Sequence, residues 1–173
     1  GGSGGGISNA SNASLALQNT TIADNLGWNA GAGVASESTA SVNARNALIA
    51  WNFSVFDGGD VVGTFKSNGY NFIGDAGSAV GFTDSVNGDQ VGESESPLDP
   101  RIGPLRNNGG PTWTHALLST SPAVDAGDDR PPQVDQRGIS RPVDGDLDGT
   151  PTGDIGAFEF HVMHVVPGTA HNL

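Results

Sequence analysis

The first fifty residues contain one unit twice, offset by 27 positions with no insertion or deletion. Residues 4–25 align with residues 31–52, so that Ile22 meets Ile49. The aligned asparagines are Asn19 with Asn46 and Asn25 with Asn52. A fixed period in the twenties is typical of a solenoid, in which each unit buries its apolar face against its neighbours. The repeat therefore predicts a stack of coils.

Each copy contains three short segments with the character of β-strands. In the first copy they lie near residues 6–8, 14–18 and 20–23, and Leu15 and Leu17 alternate with polar residues so that both point to one face. The asparagines fall between strands, where a coil turns a corner and where stacked amides can hydrogen-bond as a ladder. We therefore expect an all-β fold, a right-handed parallel β-helix with an irregular, loop-rich C-terminal cap.

The composition limits the partners of the chain. It has 7 Lys and Arg against 19 Asp and Glu, a formal net charge of -12, which argues against nucleic acid and anionic membrane surfaces. Cysteine is absent, which excludes a disulfide scaffold. No apolar run approaches the roughly 18 residues of a membrane span, so we expect none.

Three regions follow from these patterns. Residues 1–91 are predicted to form the coils, with the 27-residue repeat first and an irregular third coil to about residue 86, in which Ile73 succeeds Ile49. Residues 92–159 are rich in proline and loops, and we expect them to form the cap, because a solenoid needs an atypical unit over its last core. Residues 160–173 form a strand or tail.

A family resemblance rests on motifs in the second half of the chain. They are Asn-Gly-Tyr-Asn-Phe-Ile-Gly at 68–74, Pro-Leu-Asp-Pro at 97–100, Asn-Gly-Gly-Pro-Thr at 108–112, Thr-His-Ala-Leu-Leu at 114–118, Ser-Pro-Ala-Val-Asp-Ala-Gly at 121–127, Asp-Gln-Arg-Gly at 135–138 and Asp-Ile-Gly-Ala-Phe-Glu at 154–159. The chain resembles the C-terminal end of the choice-of-anchor Q family of bacterial secreted proteins, which continue right-handed parallel β-helices like those of pectate lyases. The resemblance implies a bacterial β-helix that is extracellular or attached to the cell surface. The family has no assigned activity, so the resemblance implies no reaction.

Alternating aspartates followed by glycine form the sharpest local signal, at residues 144–149. Such a loop surrounds a hard cation with oxygens, which predicts a calcium site. The expected ligands are Asp144, Asp146, Asp148 and Asp154. The loop is no EF-hand, because the twelfth position holds Ile155 rather than glutamate. The alternative is a solvated acidic turn.

Two arginines, Arg137 and Arg141, lie among aspartates in the predicted cap. We expect them to form structural ion pairs, with Asp125 and Asp135 as partners. The alternative is that they bind a sugar that carries a carboxylate.

The end of the chain has the alternation of a strand of about nine residues. Phe158, Phe160, Val162 and Val166 alternate with other residues before Pro167. This strand is predicted to add to the open end of another copy, which would build a head-to-tail filament. The alternative is that it packs on its own domain.

The function predicted from these features is a structural or adhesive, non-enzymatic role outside the cell, with other copies or a surface polysaccharide as partner. The alternative is a β-helix that binds or cleaves polysaccharide, for which Asp57 and Asp60 form the one close acidic pair on the coils. The Gly-His-Gly and Arg-x-Lys motifs of β-helix hydrolases are absent. Four sequons place candidate glycosylation sites at Asn9, Asn12, Asn19 and Asn52.

Overall fold

The computed structural model describes residues 4–28, 31–56, 59–128, 130 and 133–162. This part of the chain is all-β, and it contains no helix that could cross a membrane. The strands are β1 (Ile7–Asn9), β2 (Ser14–Gln18), β3 (Thr21–Ala23), β4 (Leu26–Gly27), β5 (Val34–Ser36), β6 (Ser41–Arg45), β7 (Leu48–Ala50), β8 (Phe53–Ser54), β9 (Val61–Val62), β10 (Phe65–Ser67), β11 (Phe72–Ile73) and β12 (Gln90–Val91).

All of these strands pair in parallel, in four sheets ordered β1–β5–β9, β2–β6–β10, β3–β7–β11–β12 and β4–β8. The 27-residue offset is the pairing register, since each of β1, β2, β3 and β4 lies beside the strand 27 positions later. The offset shortens afterwards: Phe65 lies opposite Val42, and Phe72 lies opposite Leu48. The predicted succession of Ile49 by Ile73 is confirmed.

The inward side chains of the three larger sheets form one apolar core. Its buried members are Leu17, Ile22, Val34, Val42, Ala44, Ala47, Ile49, Val61, Phe65 and Ile73. They alternate with outward residues along each strand, as the period of two requires. Beyond the last full set of strands, the ring of Phe82 lies 5.0 Å from the ring of Phe65, so residues near 82 cover this end of the core.

The sheet β3–β7–β11–β12 is buried on its outer face as well. Leu48, Ala50 and Phe72 point away from the first core and form a second one with residues of the C-terminal segment. The partners from that segment are Ile102, Leu117, Ala123, Ile155 and Phe158. The segment predicted as a terminal cap therefore lies along the side of the stacked strands. The sequence signal is β7 itself, Leu-Ile-Ala, because an uninterrupted apolar run is typical of a strand with both faces covered.

Polar contacts attach the C-terminal segment to the corners between strands. The Asn46 side chain donates to the Asp154 carbonyl at 2.8 Å and accepts from the Asp128 amide at 3.1 Å. Arg45 forms an ion pair with Asp128 at 2.8 Å, and the Thr21 hydroxyl accepts from the Ala157 amide at 3.0 Å. These contacts fix the side on which the segment packs.

The predicted asparagine ladder is present at a second corner. Asn25 Nδ2 donates to Asn52 Oδ1 at 2.8 Å, and Asn52 Nδ2 donates in turn to Asp60 Oδ1 at 2.8 Å. Asn46 adopts the expected left-handed backbone, with φ 50°. Gly33 is required at this corner because a Cβ there would lie 2.7 Å from Asn52 Nδ2.

Candidate functional site

Three carboxylates converge beside the acidic loop. Asp125, Asp144 and Asp146 each offer an oxygen, and these oxygens lie within 4.8 Å of one another. Asp125 sits at a left-handed position, with φ 50°, and its Oδ2 accepts from the Gly145 amide at 2.9 Å and the Asp146 amide at 2.6 Å. These two hydrogen bonds hold the acidic loop, residues 144–149, against Asp125. We call this group the carboxylate cluster.

Two oxygens of the carboxylate cluster lack a hydrogen-bond donor within the described residues. Asp125 Oδ1 and Asp144 Oδ1 are both buried and unpartnered. A buried acceptor without a partner costs about 1–3 kcal/mol, so the arrangement is under-satisfied as a protein-only structure. Burial, the largest cause, also raises the pKa of the Asp125 carboxyl. Hard oxygen ligands in this state suit a calcium ion.

The cluster differs from the ligand set predicted from the sequence. Asp144 and Asp146 belong to it. Asp148 is exposed and its Oδ1 accepts from the Thr150 amide at 2.7 Å, which closes a local turn. Asp154 is buried, and its carboxylate accepts from the amides of Asp125 and Phe160. Asp125, 20 residues before Gly145, is not in the predicted set, because the spacing within a loop gives no information about a residue outside that loop.

Asp154 and Glu159 form a buried acidic pair next to the cluster. The Asp154 pKa is raised to about 7 by burial and by the nearby Glu159 charge. Glu159 has a raised pKa as well, chiefly from burial. Its Oε2 accepts from Arg141 Nε at 2.9 Å and its Oε1 from the Val143 amide at 2.8 Å. Arg141 therefore pairs with the Glu159 carboxylate, whereas its contact with Asp154 is to the backbone carbonyl.

Arg141 is the centre of this arrangement. Its side chain is 4% exposed, and besides Glu159 it donates to the carbonyls of Gly156 at 3.1 Å and Asp154 at 2.5 Å. The partner is thus a glutamate 18 residues later rather than one of the predicted aspartates. Every one of these contacts lies within the C-terminal segment, which favours a structural role for Arg141.

Arg137 makes a second anchor. It contacts the Asp135 carboxylate at 2.7 Å, donates to the Glu159 carbonyl at 2.5 Å, and lies 3.5 Å from the centre of the Phe158 ring. The Asp135 pKa is lowered: burial opposes this, and the hydrogen bonds from the Glu159 amide and from Arg137 outweigh it. Asp125, the other expected arginine partner, contacts backbone amides instead.

The structure differs from the predicted assembly strand at residues 158–162. No strand covers residues 158–162, and Phe158 and Phe160 pack in the second core. Val162 is 36% exposed, and Val166 lies outside the described residues. The outer face of sheet β3–β7–β11–β12 is apolar, and Phe158 and Phe160 pack against it because this removes apolar surface from water.

The two ends of the strand stack differ. At the first end, β1, β2, β3 and β4 each have one partner strand among those described, so one backbone edge of each faces outwards. At the other end, a groove of about 640 Å³ over Phe82 is bordered by Asp84, Glu93 and Glu95. Charged groups at a strand edge oppose pairing with further strands.

One of the two aspartates considered for polysaccharide chemistry, Asp60, is buried. Asp60 is 3% exposed; its Oδ1 accepts from the Asn52 amide at 2.7 Å and its Oδ2 from the Asp75 amide at 2.8 Å. These bonds give Asp60 a structural role in the corner ladder. Asp57 lies outside the described residues.

The four sequons also differ in access. The Asn9 and Asn52 amide nitrogens donate to protein acceptors, and the Asn19 amide nitrogen is buried. Asn12 has an exposed side chain. Attachment of a glycan to the folded chain is therefore sterically compatible with Asn12.

Comparisons with known proteins found no matching family model, curated protein or solved structure.

Proposed function

We propose that this chain is part of a right-handed parallel β-helix and serves as a structural or adhesive module outside the cell. The observation that carries the proposal is the in-register stacking of strands β1 to β4 on the strands 27 residues later. Repeated stacking of this kind gives an elongated scaffold in which each unit stabilises its neighbour. The resemblance to the choice-of-anchor Q family supports the extracellular location.

The C-terminal segment supports the same role. It covers one outer face of the stack, and its charged residues are used to fasten it: Arg141 to Glu159, Arg137 to Asp135 and Arg45 to Asp128. Charged side chains that form such internal ion pairs stabilise a scaffold and do not contact a substrate. Growth of a filament at both ends is not part of the proposal, because the end near Phe82 is covered and acidic.

Calcium is the second element of the proposal. The carboxylate cluster would bind the ion through Asp125, Asp144 and Asp146, and it would relieve the unpartnered oxygens of the first two. Binding there ties residue 125 to the loop at 144–149, so the ion would stabilise the C-terminal segment as a whole.

The calcium proposal is tested by thermal unfolding and titration calorimetry after removal of metal with a chelator. Calcium at 100 times its dissociation constant should add about 2.7 kcal/mol, or a rise in Tm of roughly 5–11 °C for a chain of this size. Asp125→Asn should abolish the rise. Asp148→Asn is the matched control, because it removes the same charge at an exposed position and should keep the rise. No calcium response in the wild type rejects the site, and loss in Asp148→Asn supports the ligand set predicted from the sequence.

The structural role is tested in two ways. Antibodies against the chain should label intact, unpermeabilised cells that produce it, and the purified chain should leave a panel of neutral and acidic polysaccharides uncut, with or without calcium. Release of reducing ends or unsaturated products would overturn the non-enzymatic assignment. Labelling only after permeabilisation would overturn the location.

A further inference from the structure

Sheet β4–β8 and the residues that directly follow its two strands carry four large exposed apolar side chains. Leu26 lies opposite Phe53 in the parallel pair, and the rings of Trp28 and Phe56 lie 6.0 Å apart. Their exposed fractions are 67% for Leu26, 65% for Phe53, 70% for Trp28 and 75% for Phe56. We call this group the lateral apolar surface.

The exposure follows from the local backbone. Gly27 is buried, so the alternation along β4 directs both Leu26 and Trp28 outwards. The Phe56 amide donates to the Trp28 carbonyl at 3.2 Å, which keeps the second pair of side chains in line with the first. Residues 25–28 and 51–56 include no charged side chain. The surface is therefore continuous and uninterrupted by charge.

Its size can be compared with known interfaces. A buried aromatic side chain accounts for about 150–250 Å², so four large side chains about 70% exposed offer roughly 500 Å². That is near the upper end of the largest apolar patch on a typical monomer, about 300–600 Å². Trp51 and Val55, two positions before and after Phe53, are 44% and 42% exposed, and with them the area comes to roughly 650 Å², at the lower end of the about 600–1,000 Å² that one partner contributes to a standard interface.

We propose that two copies of this chain associate side by side through the lateral apolar surface. Homodimer interfaces are more apolar than the rest of a protein surface, and aromatic residues are enriched and charged residues depleted at their core. A two-fold axis would set Trp28 and Phe56 of one copy against the same surface of the other, and such a contact closes after two subunits. The segments 25–28 and 51–56 carry no charge themselves, although Asp24 and Asp57 adjoin them in the sequence, so association should strengthen as the salt concentration rises. This contact is independent of the proposed calcium site and of addition at the strand ends.

The first experiment measures the molar mass of the full chain across a wide concentration range by analytical ultracentrifugation. The wild type, 17.5 kDa as a monomer, should shift to twice that mass. The double variant Trp28→Ser and Phe56→Ser should dimerise at least about 30-fold more weakly, as expected for loss of interface hot spots. Trp113→Ser is the matched control: Trp113 is 63% exposed in the C-terminal segment, and its loss should leave dimerisation unchanged.

The second experiment uses the absence of cysteine. Leu26→Cys should give a disulfide-linked dimer on mild oxidation, whereas Ser38→Cys, at another exposed position, should not. A wild type that stays monomeric at every concentration overturns the proposal, as does equal dimerisation of the double variant. Oligomers that grow beyond two subunits also overturn it. So does a monomer whose tryptophan fluorescence responds to neutral vesicles or a neutral polysaccharide and loses that response in the double variant.

Discussion

The buried pair of Arg141 and Glu159 offers the sharpest test of how the C-terminal segment is held. Arg141→Met keeps most of the side-chain volume and removes the charge and three donors. Glu159, whose side chain is 0% exposed, then keeps only the amides of Asp154 and Val143. An uncompensated buried charge is the main cost, so we expect the free energy of unfolding to fall by about 3–5 kcal/mol.

The size of this loss is large for a domain. At about 2–4 °C per kcal/mol it corresponds to a fall in Tm of roughly 6–20 °C. Burial raises the Glu159 pKa, and loss of Arg141 raises it further. A carboxyl with a raised folded pKa contributes stability below its unfolded pKa and loses it as pH rises, so the deficit of the variant should shrink as pH falls towards about 4.

The assay is urea unfolding in chelator, followed by circular dichroism and tryptophan fluorescence. Arg130→Met is the matched control: the Arg130 side chain is 61% exposed, and its partner Asp128 also contacts Arg45, so the change should cost far less than Arg141→Met. The pair Arg141→Met and Glu159→Gln should recover part of the loss, because the double variant buries no charge. A single-variant cost no greater than that of Arg130→Met, with no dependence on pH, would refute the reasoning.

Two further predictions concern the parallel strands of the repeat. Gly33→Ala should lower the free energy of unfolding by about 1–3 kcal/mol, because the new Cβ would lie 2.7 Å from Asn52 Nδ2 and 2.8 Å from the Asp60 carbonyl oxygen. Gly103→Ala is the control: the nearest atom to its Cβ lies at 3.7 Å, so it should change stability by about 0.5 kcal/mol or less. Equal costs of the two variants in chemical unfolding would contradict this prediction. Burial raises the Asp60 pKa, so the folded state holds the Asp60 proton to a higher pH than the unfolded chain and this contribution to stability is lost as pH rises above about 4. Unfolding curves of Asp60→Asn should therefore fall less steeply with rising pH than those of the wild type, and parallel curves would rule out the effect.

The strands of the repeat could be predicted because their register is written in the sequence. Residues that face each other in a parallel stack, such as Ile22 and Ile49, recur at the same spacing and share the same demands. Where the stack shortens, at Phe65 and Phe72, the spacing changes and the prediction weakens.

The site and the cover were harder to predict because they depend on contacts between distant residues. Asp125 approaches the acidic loop only after the segment has packed, and Arg141 selects Glu159 over nearer aspartates for the same reason. The lateral apolar surface was visible as Leu-Gly-Trp and Phe-Ser-Val-Phe, but its exposure depends on which strand face turns inwards.

The lateral position of the C-terminal segment determines when folding can finish during synthesis. The Asn46 side chain hydrogen-bonds to Asp154, 108 residues later, and the Thr21 hydroxyl hydrogen-bonds to Ala157, 136 residues later. Neither bond can form before the later residue has been synthesised. While the ribosome is still producing residues 102–158, the nascent strands leave Leu48 and Phe72 without their apolar cover. Long-range closure of this kind is slow and leaves apolar surface open to other chains. The strands of this sheet are thus exposed to premature association until residues 102–158 emerge and cover them.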